Sequence, residues 1–157
     1  MRPAQPPVGL ALTQAARAIG RAFDETLAEA GGSLPAWLVL LAMKTRSAGS
    51  QRQLAEAVGI REATLTHHLN AMEIAGLITR QRDPANRRIH VVELTQAGEE
   101  MFGRLRDAAA AFDQRLRHGV SEEEIAGLRA LLARLAENAG AEMSGWPPRA
   151  GTSMPGN

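Results

Sequence analysis

At 157 residues the chain suits one domain, or one domain with an appended interface. A hydrophobic fraction of 45% supplies a core, and a charged fraction of 22% excludes wholesale disorder. No apolar run approaches the length of a membrane span, the opening MRPAQPPVGLAL has no signal-peptide core, and there is no cysteine for disulfides or thiolate metal sites. The expectation is a cytoplasmic protein without a membrane partner.

The net charge of +1 hides an asymmetry. From Lys44 to His90 eight cations (Lys44, Arg46, Arg52, Arg61, Arg80, Arg82, Arg87, Arg88) face four acids (Glu56, Glu62, Glu73, Asp83). The remainder is net acidic. Positive charge concentrated on one segment is expected where a single face meets phosphate.

In chain order, residues 1–7 read as a flexible arm containing Pro3, Pro6 and Pro7. From Val8 to Ala30, Leu12, Ala16, Ile19, Phe23 and Leu27 recur at helical steps, and Gly31-Gly32 ends the helix. Ser33 and Pro35 open a second helix carrying Trp37, Leu38, Leu40, Leu41 and Met43, which fades at Ser47-Ala48-Gly49. Ser50 with Gln53 has capping-box spacing and starts a third helix, whose buried side is Leu54, Ala55 and Val58. Gly59 makes the turn into a fourth helix, Glu62 to Ala75. There Ala63, Leu65, Leu69 and Met72 are expected inside, and Arg61, Thr64, Thr66, His67 and Asn70 outside.

Leu77 to Arg82 and Arg88 to Leu94 read as two strands, partly alternating at Ile89 and Val91, around an Asp83-Pro84-Ala85-Asn86-Arg87 loop. Thr95 caps a long helix striped by Met101, Leu105, Ala109, Phe112 and Leu116, stopped near Gly119. Ser121 to Glu124 is a second capping box, starting a last helix with Ile125, Leu128, Leu132, Leu135 and Ala139. From Ser144 the chain reads as a disordered tail.

The expected fold is mainly α with a small β-hairpin wing: a winged helix-turn-helix over residues 33–94, between dimerisation helices at 8–32 and 95–143, with the arm at 1–7 and the tail at 144–157. The end helices are more apolar than one small winged domain can cover, so a second copy is the expected cover. A two-fold dimer suits a pseudo-palindromic DNA duplex, whose half-sites lie about 34 Å apart. Thr64, Thr66, His67 and Asn70 are the residue types that reach base edges. Ser50, Gln51 and Arg52, at a helix start, suit a phosphate. Arg80 and Arg82 flank the hairpin as positioning contacts or surface charge. Asp83 can pair across the wing with Arg87 or Arg88.

Adjacent His67 and His68 point about 100° apart on a helix and make a poor metal pair, so no metal or cofactor is expected. A ligand pocket from Trp37 with Arg17 or Arg21 is a further candidate. No Gly-x-Ser-x-Gly, P-loop or His-Glu-x-x-His occurs, and no enzyme is expected.

Over residues 10–140 the chain resembles the MarR family of bacterial transcription regulators. The resemblance rests on Gln53-Leu54-Ala55, Thr64 to Leu69, Met72-Glu73, Gly76 to Arg80, the wing Asp83 to Arg88, and Leu94 to Gly98. It implies a wedge-shaped homodimer, the fourth helix in the major groove and the wing in the minor groove. It further implies a repressor relieved by a small aromatic or lipophilic effector bound between the lobes. Three departures stand out: His67 where the family often has Arg, Ala85-Asn86 in place of a wing Arg-Asp, and Arg61 where a Ser or Asp cap is usual. The alternative reading is a winged module that binds a ligand or protein without reading DNA.

Overall fold

The computed structural model describes residues 6–46, 50–88 and 90–141. Most of the expected arm, Ser47-Ala48-Gly49, Ile89 and the 144–157 tail lie outside these. Helices α1 (Val8–Glu29), α2 (Leu34–Arg46), α3 (Gln51–Val58) and α4 (Glu62–Ile74) precede the antiparallel strands β1 (Ile78–Arg82) and β2 (His90–Leu94). Helices α5 (Gln96–Leu116) and α6 (Glu122–Asn138) follow.

Helix α2 is the hub, packing against α1, α3, α4 and α5. Its Val39, Leu40 and Ala42 are fully buried, and Trp37 stacks on Phe102 of α5 at 5.8 Å between ring centroids. The core continues through Leu54 and Ala57 of α3, Leu65, Leu69 and Met72 of α4, then Ile78, Val92 and Leu105.

The helix ends obey local chemistry. Ser50 and Ser121 each form a complete capping box, with Gln53 and Glu124. Ser33 accepts the Ala36 amide at the start of α2. At the end of α1, Gly31 takes φ 87° while the Gly32 amide reaches back to the Leu27 carbonyl, the bonding of a Schellman cap.

Four burial expectations are corrected. Ala63 is exposed: α4 turns Leu65, Leu69 and Met72 inward, and position 63 falls on the opposite side. In the hairpin, Val92 is the buried residue and Val91 only half-buried. Pairing of Ile78 with Leu94 and Arg80 with Val92 puts these four side chains on the inner face, while Val91 bridges to Ser50 instead. In α3 the third buried residue is Ala57, and Val58 is only half-buried. Helix α1, whose stripe is expected to need a second copy, buries only Leu27; Ile19 is exposed, and Phe23 meets Phe112 of α5 at 5.0 Å.

One joint fixes the relation of the winged module to α5. The Thr95 hydroxyl donates to the Gly76 carbonyl at 2.6 Å and accepts the Gly98 amide at 3.1 Å, while the Thr95 amide donates to Leu77. Gly98 is buried against that turn, and a Cβ there would lie 2.0 Å from the Leu77 carbonyl oxygen. Beyond α5, α6 has no buried residue and Leu128 and Leu131 are half exposed.

Candidate nucleic-acid interface

The exposed side of α4 carries Ala63, Thr64, His67, Asn70, Ala71 and Ile74. The helix starts at Arg61, which has extended backbone and makes no side-chain cap, as its residue type implies. Glu62 in the first turn partly compensates, as an acid beside the positive end of the helix.

The expected base-contacting residues differ in freedom. Thr64 and His67 are exposed. Thr66 is half-buried, with its hydroxyl donating to the Glu62 carbonyl (2.9 Å) and accepting from Gln51 Nε2 (3.3 Å). Gln51 is therefore a brace between α3 and α4. Asn70 is exposed, but its Oδ1 accepts from Arg80 Nη2 at 2.6 Å.

Arg80 lies on the inner face of the hairpin, only 18% exposed at its side chain. Its Nε and Nη2 also donate to Glu73 Oε2, at 3.0 and 2.5 Å. It clamps the hairpin to α4, which a surface-charge reading does not anticipate. The Arg80 side-chain hydrogen bond, aided by its charge, holds the Glu73 carboxyl below its ordinary value of 4.5, outweighing the opposing effect of desolvation. A folded-state pKa below the unfolded one means that the clamp's contribution to stability is whole above 4.5 and is lost as pH falls through the lowered value. Denaturant melts of wild type and Glu73→Gln should accordingly differ at neutral pH and converge in acid. A gap that persisted below the lowered value would show that charge at Glu73 is not what matters.

At the wing tip, two side chains fold onto the backbone. Asp83 Oδ1 accepts the Ala85 amide (2.8 Å), and Asn86 Oδ1 accepts the Arg88 amide (3.2 Å). Among the described residues no ion pair joins Asp83 to Arg87 or Arg88, so turn bonds stiffen the wing in place of the expected pairing. Arg82, Arg87 and Arg88 are exposed. At the start of α3 the capping box engages the Ser50 hydroxyl and the Gln53 amide. Arg52 is exposed and bonds loosely to Glu56 at 3.2 Å.

The candidate ligand residues do not converge. Trp37 is 8% exposed and packed on Phe102, while Arg17 and Arg21 are exposed on α1. A cavity of about 280 Å³ lies elsewhere, behind α4. His68, Ala71, Met72 and Ala75 wall it on one side; Gly31 to Ser33, Pro35, Ala36, Leu77 and Met101 complete it, and it includes none of Trp37, Arg17 and Arg21. His68 is half-buried, and its ring meets that of the exposed His67 edge-on at 5.7 Å between centroids.

Sequence reasoning missed Glu73 as an anchor, Gln51 as a brace, and the Thr95–Gly98 joint. The available signals were a Glu seven residues before an inward-facing Arg and a glycine inside a capped helix start.

A sequence model of the MarR family matches residues 33–90. The crystal structure of transcriptional regulator PA3341 is 30% identical, with 85% of this chain and 98% of that one covered at a TM-score of 0.69. The transcriptional repressor CouR, from Rhodococcus jostii RHA1, bound to a 23-mer DNA duplex, is 26% identical over 83% of this chain and 92% of that one, TM-score 0.71. BpsR of Bordetella bronchiseptica, whose DNA binding is regulated by 6-hydroxynicotinic acid, shares the fold at TM-score 0.74 and 23% identity, over 87% of this chain and 98% of that one. With its winged module, flanking helices and these matches, the chain belongs to the MarR family of transcriptional regulators.

Proposed function

We propose that the protein is a dimeric, sequence-specific DNA-binding regulator, a repressor of a nearby gene that acts in the cytoplasm and performs no catalysis. The observation that carries this reading is α4 itself. One side is locked into the core by Leu65, Leu69 and Met72, and the other offers Thr64, His67 and Asn70 to a groove. Arg52, Arg61, Arg82, Arg87 and Arg88 are exposed on the same module and suit phosphate. Residues 33–94 serve as the reading unit, and residues 8–32 and 95–143 as the dimerisation unit. The operator is a pseudo-palindrome.

A small aromatic or lipophilic effector fits the cavity behind α4. The similar proteins CouR and BpsR support this class, having been characterised with p-coumaroyl-CoA and 6-hydroxynicotinic acid. A cavity of about 280 Å³ sits at the small end of ligand pockets. An occupant there touches His68, Ala71 and Met72 of α4 and so bears directly on the reading helix.

Gel-shift titration against the DNA upstream of the protein's own gene tests the regulator reading. Binding should be tighter than to random duplex at physiological salt. Arg87→Ala with Arg88→Ala should weaken binding to every sequence and reduce the slope of log affinity against log salt by about 1.8, two phosphate contacts' worth. Equal affinity for operator and random DNA, alongside tight binding to a small molecule or protein, would favour the non-reading winged module.

A further inference from the structure

Arg80 does more than fasten the hairpin: it decides which hydrogen-bonding sense Asn70 presents. A guanidinium has only donors, so the Asn70 atom 2.6 Å from Arg80 Nη2 must be the carbonyl oxygen. The amide's planar geometry then places Nδ2 away from Arg80. Glu73 holds the guanidinium through Nε and Nη2, and the inner face of the hairpin holds its stem, so the donor is fixed rather than sampled. Among the described residues no acceptor takes the Asn70 Nδ2 hydrogens.

An asparagine reads adenine with both ends of its amide, accepting from N6 and donating to N7. Here one lone pair of the accepting end is taken by Arg80, which turns that oxygen toward the hairpin and ties it to a cationic donor. The end turned away from Arg80 is a donor, which guanine accepts at both O6 and N7 and thymine at O4, whereas adenine offers it N7 alone beside a repelling N6 amino group and cytosine only an amino group. We propose that Asn70, positioned by Arg80, prefers a keto base over adenine in each half-site. This inference rests on the DNA-reading function above and adds a specific base chemistry to it.

Selection of binding sites from a randomised duplex pool by the full-length protein tests it. The wild type should enrich one position per half-site in guanine or thymine, with about tenfold discrimination, and Asn70→Ala should relax that position alone. Arg80→Met keeps an aliphatic stem on the hairpin but frees Oδ1, and should move the preference at the same position toward adenine. Arg80→Lys, which still donates, should restore the keto preference; circular dichroism establishes that each variant is folded. Should Arg80→Met fail to fold, the wild-type base at the Asn70-dependent position still decides. Adenine or cytosine there, no position sensitive to Asn70→Ala, or an unchanged keto preference in folded Arg80→Met overturns the inference while leaving DNA reading intact. Absence of any enriched motif in the wild type overturns both.

Discussion

Gly98→Ala is expected to destabilise the protein by about 3 kcal/mol or more, at or beyond the upper end of ordinary overpacking. The added methyl would sit 2.0 Å from the Leu77 carbonyl oxygen, and this neighbour is backbone rather than the end of a flexible side chain. The Leu77 carbonyl already accepts the Thr95 amide at 3.1 Å, and Thr95 accepts the Gly98 amide, so the clash cannot relax without breaking the joint. Gly103, further along α5, has open space around it, so Gly103→Ala should be neutral or slightly stabilising through helix propensity. Chemical denaturation of both variants makes the comparison. Equal midpoints for Gly98→Ala and wild type would show that the joint tolerates a side chain.

The second large effect is expected at the end helices. Leu128→Asp with Leu131→Asp should raise the dimer dissociation constant at least about a hundredfold, since each leucine side chain withdrawn from water stabilises by about 1.5–3 kcal/mol. Both side chains are half exposed in one chain, and no residue of α6 is buried there. Most helical stability in proteins comes from a packed apolar face, so α6 should also lose helicity in the variant. Val8, Leu10, Ile19, Leu116 and Val120 are exposed on the neighbouring segments and extend the uncovered apolar surface. Sedimentation velocity across a concentration series reads the result. An unchanged dimer would place the interface elsewhere.

What could be read from the sequence was whatever local chemistry decides. Ser50 with Gln53 and Ser121 with Glu124 form the expected boxes because three-residue spacing brings each side chain to the other's amide. The order of helices and hairpin followed from periodicity and glycine stops, and the family resemblance from the same segments. The details that escaped depend on packing between elements. Ala63 is apolar but faces out, because propensity does not say which side of α4 the core occupies. Arg80 reads in the sequence as a positioning contact or surface charge, but pairing Arg80 with Val92 turns it inward, and one step of register decides that. Trp37 was a candidate pocket wall; its ring instead stacks on Phe102, sixty-five positions away in the chain. The candidate bases of contact, Thr64, His67 and Asn70, were legible as an outer face, but the restraint on Asn70 was not.

The Thr95 hydroxyl joins the end of the reading module to a long rigid rod. Helix α5 spans 21 residues, about 31 Å of helix axis. Because its base is bonded to Gly76 and pressed against Leu77, a tilt of α5 cannot be taken up as slack at that hinge. The rod works as a lever: a tilt of about 5° about one end displaces the other by roughly 3 Å over that length. In the proposed dimer, small changes in how two such rods meet would be geared into the distance between the two winged modules, without either module changing shape.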